Sequence, residues 1–156
     1  MSLTTNKNFL QPSGFRVVIN KDNYANLEFF AQSVAHPGAN VDALDLPLPK
    51  LMSFPLIGSK ISYSELTINL IVDEDMTAYK EMQSWMERTI SETDSSKLYN
   101  DITLIILSSH NNANKSIRYK NCIPTQIGGI EFTSTSGDTS FITFDATFRF
   151  SEFDIL

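Results

Sequence analysis

Strict apolar/polar alternation in one strand mid-chain and in the last strand, one amphipathic helical stretch, and turn-forming clusters between the remaining segments predict a mainly β (α+β) domain. The expected architecture is a small antiparallel β-barrel or sandwich flanked by one α-helix, with a long loop after the first hairpin. The last strand alternates most cleanly: Ile142, Phe144, Ala146, Phe148 and Phe150 point one way, and Thr143, Asp145, Thr147 and Arg149 the other, after a turn at Gly137-Asp138. A second such strand places Leu66, Ile68, Leu70 and Val72 opposite Glu65, Thr67 and Asn69. It runs directly into the helical stretch. There Met76, Tyr79, Met82 (or Gln83) and Met86 recur at helical spacing, with Trp85 on the flank of the same stripe.

The other elements follow in order. Residues 1–14 are polar, contain Pro12 and Gly14, and read as an arm that only a partner would order. "FRVVIN", the turn-like "KDNYAN" and the extended "LEFFAQSVA" make a first hairpin. Residues 36–58 hold four of the six prolines, which discourages ladder pairing and predicts a loop. A loop that long normally has a task. It is also too apolar for a flexible linker, because Val41, Leu44, Leu46, Leu48, Leu51, Met52, Phe54, Leu56 and Ile57 need cover. After the helix, "ITLIILS" is a mostly apolar strand, "SHNNANKS" a loop tip, and "IRYKNCIPTQIGGIEF" a pair of strands interrupted at Pro124 and Gly128-Gly129. Six to eight strands and one helix result.

Composition narrows the function classes. A chain of 156 residues, 42% hydrophobic, makes one domain with a real core, spanning 1–156. The net charge of −6 repels a phosphate backbone, so dedicated nucleic-acid binding is not expected. Cys122 is the only cysteine, no secretory signal opens the chain, and no apolar run spans a bilayer, so a soluble protein folded in a reducing cytoplasm is expected.

Residues able to do chemistry are sparse. His36 and His110 lie in loops without a metal-ligating partner, and Cys122 sits in a strand-like segment where a packed thiol is the simpler reading. Asp73, Glu74 and Asp75 form a carboxylate cluster that would suit a divalent cation or a shared proton. Their position before the helix makes them caps instead, Asp73 and Asp75 foremost, since free backbone N–H groups and the helix dipole favour carboxylates there. Tyr79, Met82, Trp85 and Met86 read as core against the sheet, with an adaptable ligand-binding groove as the competing reading. Neither a catalytic set nor a cofactor or metal site is expected.

The order of elements resembles the tail tube proteins of T4-like contractile-tailed bacteriophages. "AHPGANVDALDLPLP", "LTINLIVDEDMTAYKEMQSWM" and "FITFDATFRFSEF" carry the resemblance, which extends from about Gly14 to Phe150. It implies a subunit that joins its neighbours edge to edge into a hexameric ring, with rings stacked into the inner tube of a contractile tail. The long loop, through Leu44, Leu46, Leu48, Leu51, Phe54 and Leu56, would contact the neighbouring ring, and residues 1–14 are a second candidate. Implied partners are the tail sheath protein, the baseplate tube initiator, the tape-measure protein and the tube terminator. DNA would cross the lumen during ejection without specific binding, which an acidic wall favours. The implied place is the virion tail, assembled in the host cytoplasm, with no membrane contact. Alternatives are the tube initiator or terminator, the tube of a bacterial contractile injection system, a small-ligand or flavin-binding split β-barrel, or a carboxylate metal enzyme at Asp73–Asp75.

Overall fold

The computed structural model describes residues 10, 12–19, 26–28, 30–50, 52–134 and 141–156. Most of the expected N-terminal arm, most of the "KDNYAN" turn, Leu51 and the turn at Gly137-Asp138 lie outside the described residues. The described chain is mainly β, with strands β1 (Phe15–Val18), β2 (Ala31–Ala35), β3 (Ala39–Leu48), β4 (Met52–Tyr63) and β5 (Leu66–Ile71). Helix α1 (Thr77–Ser91) and a 3-10 turn (Ser95–Lys97) follow, then β6 (Asn100–Leu107), β7 (Ala113–Ile127), β8 (Thr143–Arg149) and β9 (Glu152–Ile155). All pairings are antiparallel. Among the described residues, one seven-stranded sheet runs β1-β6-β7-β8-β5-β2 with β9 also on β7, and β3 and β4 pair only with each other.

The large sheet turns a corner on β7, and the sequence shows why. Residues 117–120 of β7 pair with β9, and residues 123–127 pair with β8, so β8 and β9 lie end to end along the same side of β7. Both ribbons bend at one place. Asn121 takes a left-handed φ of 54°, a conformation asparagine tolerates better than most residues. Its side chain donates to Ser151 Oγ at 3.1 Å, and Ser151 N donates to Lys120 O at 3.0 Å. One half of the sheet (β1, β6, first part of β7, β9) is thereby folded toward the other (last part of β7, β8, β5, β2). The result is an open sandwich rather than a closed barrel.

The core lies inside this fold. Leu66, Ile68 and Leu70 of β5 and Phe144, Ala146 and Phe148 of β8 are buried in register with one another, as the alternation requires. Ile102, Leu104, Ile117, Tyr119 and Cys122 come from β6 and β7. Helix α1 closes the sandwich with Ala78, Met82 and Trp85, the indole standing 5.2 Å from the Phe148 ring and Tyr79 5.2 Å from Phe144. Glu81 ties the helix to the helical turn Asn26–Glu28 by accepting from Asn26 Nδ2 at 2.7 Å and from Leu27 N at 3.2 Å.

Three sequence expectations are corrected. No first hairpin forms, because β1 pairs with β6 and β2 with β5, and "LEFF" begins helical rather than extended. Residues 36–58 are not a loop but most of a long hairpin. The segment from Ile117 is one strand with a kink, not two, and Pro124 pairs within it opposite Phe148. The helix begins at Thr77, with Met76 in the left-handed region at φ 54°. A truncation at the centre of the core tests the packing: Trp85→Ala should lower unfolding stability by about 3–5 kcal/mol in a denaturant titration.

Candidate assembly surface

The β3–β4 hairpin is an arm, and its register sorts its side chains. Leu44 lies opposite Leu56, Leu46 opposite Phe54, and Leu48 opposite Met52, so these six share one face of the ribbon. Every one of them is exposed, from 41% at Leu56 to 69% at Met52, which is the opposite of what a core-facing strand shows. The other face carries Ala43 opposite Ile57, Asp45 opposite Pro55, and Pro47 opposite Ser53. Pro47 and Pro55 fall on the same phase of the register. An antiparallel ladder turns every second amide outward, so prolines on that phase forfeit no ladder bond. That is how a proline-rich segment becomes a strand pair.

Two local features shape the arm. The register shifts between Val41 and Ala43, and Gly58 lies across this bulge with its backbone against the Asp42 carbonyl. A Cβ at Gly58 would fall inside that oxygen, so only glycine fits. At the tip Lys50 adopts φ 73° in the turn Pro49-Lys50.

An aromatic cluster roots the arm in the body. Tyr63, at the end of β4, stacks at 5.4 Å on Phe150 and 5.2 Å from Phe153, and Tyr119 packs at 5.2 Å from Phe150. His36, at the entry to β3, sits 5.0 Å from Phe153, and its Nδ1 is 2.6 Å from the Tyr119 hydroxyl. Desolvation against these rings lowers the His36 pKa, and burial raises that of Tyr119. Ser64 N donates to Gly38 O at 2.9 Å and closes the neck.

The remaining residues singled out in the sequence lie elsewhere. Asp73 accepts from Thr77 N at 2.8 Å and from Thr77 Oγ1 at 2.6 Å, at the start of α1. Asp75 is exposed, and Met86 is half-buried beside the buried Met82 and Trp85. Cys122 is fully buried, donates its thiol to Tyr119 O at 3.4 Å, and has its pKa pushed up to about 12 by desolvation. Such a thiol stays protonated. Among the described residues no three His, Cys, Asp or Glu side chains converge as metal ligands would, and no helix is long and apolar enough to cross a membrane. Two clefts, of about 400 and 210 Å³, open at the sheet corner, and neither is lined by Tyr79, Met82 or Trp85.

Sequence reasoning missed Arg149. It contributes to both clefts, yet no carboxylate among the described residues pairs with it, whereas Arg16 pairs with Glu28 and Arg118 with Asp101. Only the alternation of β8, which sends it outward, marked it.

The model of the phage tail tube protein family matches residues 2–156. The chain belongs to that family. No curated protein matches it. Among solved structures, a chain of the PVC sheath-tube complex, an extracellular contractile injection system in its extended state, superposes with a TM-score of 0.73 at 16% identity, over 99% of each chain. A chain of the anti-feeding prophage tube terminating cap gives 0.71 at 15% identity, covering 99% of this chain and 95% of that one. A chain of the PVC sheath/tube terminator gives 0.70 at 15%, covering 96% and 98%. At these identities the shared property is the fold, that of a tail tube protein.

The Asp73 cap has a calculable pH signature. Hydrogen bonds from Thr77 lower the Asp73 pKa below its ordinary 3.8, so the folded state binds this proton less readily than the unfolded chain does. The cap therefore contributes fully above about pH 4 and is lost as pH falls through the depressed folded value. Asp73→Asn should melt below the wild type at pH 7, and the two melting curves should converge in strong acid.

Proposed function

We propose that this tail tube protein is the structural subunit of the inner tube of a contractile phage tail. Six copies close a ring, rings stack into a hollow conduit, and DNA passes through it during ejection without being gripped. One observation carries this reading: the arm presents a face of Leu44, Leu46, Leu48, Met52, Phe54 and Leu56 to solvent although a buried core exists a short distance away. A two-stranded ribbon standing alone is marginal in water, and a contiguous apolar face on it demands a partner. The next ring is the partner that a tube supplies.

Lateral contacts have a separate basis. Among the described residues β1 pairs only with β6 and β2 only with β5, so both ends of the large sheet retain an open edge. Identical neighbours related by a rotation close such edges in a ring. The net charge of −6 keeps phosphate off the assembled wall. In this scheme each subunit is one domain without catalytic activity. The tube is enclosed by the tail sheath protein, starts on the baseplate tube initiator, is measured by a tape-measure protein and ends at a tube terminator. It forms in the host cytoplasm and resides in the virion tail.

The likeness to terminator chains supports a second reading, in which this subunit caps a tube instead of forming it. Electron microscopy of the purified protein separates the two: long stacks identify the tube subunit, isolated rings the terminator, and a monodisperse monomer at high concentration overturns both. The arm is tested by Leu48→Ser combined with Phe54→Ser. Because both side chains are exposed, the double variant should keep the wild-type circular dichroism and melting temperature while rings no longer stack; tubes of unchanged length would remove the arm from the contact.

A further inference from the structure

Arg149 stands at the sheet corner, lines two depressions, and has no carboxylate partner among the described residues. The larger cleft, about 400 Å³, is bounded by Tyr99 ahead of β6, by Asn121 at the β7 kink and Ile123 just past it, and by Arg149, Phe150 and Ser151 where β8 gives way to β9. The smaller, about 210 Å³, shares Arg149, Phe150 and Ser151 with it and is otherwise bounded by Ile61 to Ser64 at the root of the arm. Asn121 Nδ2 already donates to Ser151 Oγ, and Ser151 donates through both its Oγ and its N to Lys120 O. The chemistry on offer is therefore a guanidinium fork and the half-exposed Tyr99 ring against an apolar wall of Ile123 and Phe150. That combination fits a carboxylate carried on an apolar strand.

The chain contains such a strand. Asp45, in the distal half of the arm, has no partner among the described residues, and it shares its face of the ribbon with Ala43, Pro47, Pro55, Ser53 and Ile57. Ala43, Pro47, Pro55 and Ser53 are small or compact, while Ile57, 93% exposed, sets a bare apolar side chain beside the carboxylate. Within one molecule the two charges do not meet. Asp45 lies opposite Pro55, six residues along β4 from Ile61 at the cleft, which in an extended strand is about 20 Å. A second copy removes that restriction.

We infer that the cleft around Arg149 receives the arm of a second copy of this chain, with Asp45 of that arm paired to the guanidinium. The contact is head-to-tail: each subunit offers an arm to one neighbour and a cleft to another, so it propagates through a stack instead of ending at a dimer. It assigns an occupant to the carboxylate-bearing face of the arm, leaving the leucine face for a different surface of the neighbour. The inference rests on the stacking role proposed above for the arm.

A charge exchange tests it. Arg149→Asp and Asp45→Arg should each raise the concentration needed for polymerisation at least tenfold, with unchanged circular dichroism, and the double variant Asp45→Arg/Arg149→Asp should return it most of the way to wild type. Electron microscopy and sedimentation velocity read the outcome. If Arg149→Asp melts early, Arg149→Gln is compared in its place, with the same tenfold loss expected. Wild-type polymerisation by the Arg149 variant, or a double variant no better than either single, overturns the pairing. Failure of the wild-type protein itself to form rings or stacks overturns the proposed function instead.

Discussion

An apolar ribbon face with no core to enter is the constraint on which the biology of this protein depends. The body of the molecule has its own core, since strand alternation, the β7 corner and the helix together bury Trp85, Tyr119 and Phe148. The arm adds no residue to that core. Among the described residues β3 and β4 pair only with each other, and the leucines of the arm face water. Under the proposed function, the burial that would order this face comes from a neighbouring copy.

The corner on β7 makes that division possible. Bending one strand at Asn121, with Ser151 locking the matching break between β8 and β9, lets a single continuous sheet enclose its own core. The bend also brings the root of the arm beside the aromatic cluster of Tyr63, Tyr119, Phe150 and Phe153. The arm is thus packed against the body at its root, with its leucine face exposed along its length. The same bend opens the clefts beside Arg149, so the feature that closes the core also shapes the surface around the root of the arm.

Legibility from sequence followed a physical rule. Segments whose fate is set by one neighbouring layer were readable: β5 and β8 from period-two alternation, α1 from its Met and Trp stripe, and the cover-seeking character of Leu44, Leu46, Leu48 and Phe54 from composition. Segments whose fate is set by register were not. Proline content argued against strands in the arm, but Pro47 and Pro55 share a phase that costs the ladder nothing, and phase exists only once two strands are aligned. The supposed first hairpin failed for a similar reason, because adjacency in sequence does not decide pairing when β1 and β2 find β6 and β5 in space.

Arg149 shows the limit most directly. As a letter in "FDATFRF" it is an outward residue on an amphipathic strand, and alternation says no more than that. The sequence by itself determined the class of fold, the core-facing residues of the clearest elements, and the presence of apolar surface that one chain does not consume, because these follow from local periodicity and hydropathy. Only the tertiary structure decided that this surface is one face of a hairpin, that the sheet bends at Asn121, and that a guanidinium with no carboxylate partner among the described residues lines a cleft at that bend. Those facts depend on long-range register and on which charges the fold leaves without neighbours, neither of which has a local signature.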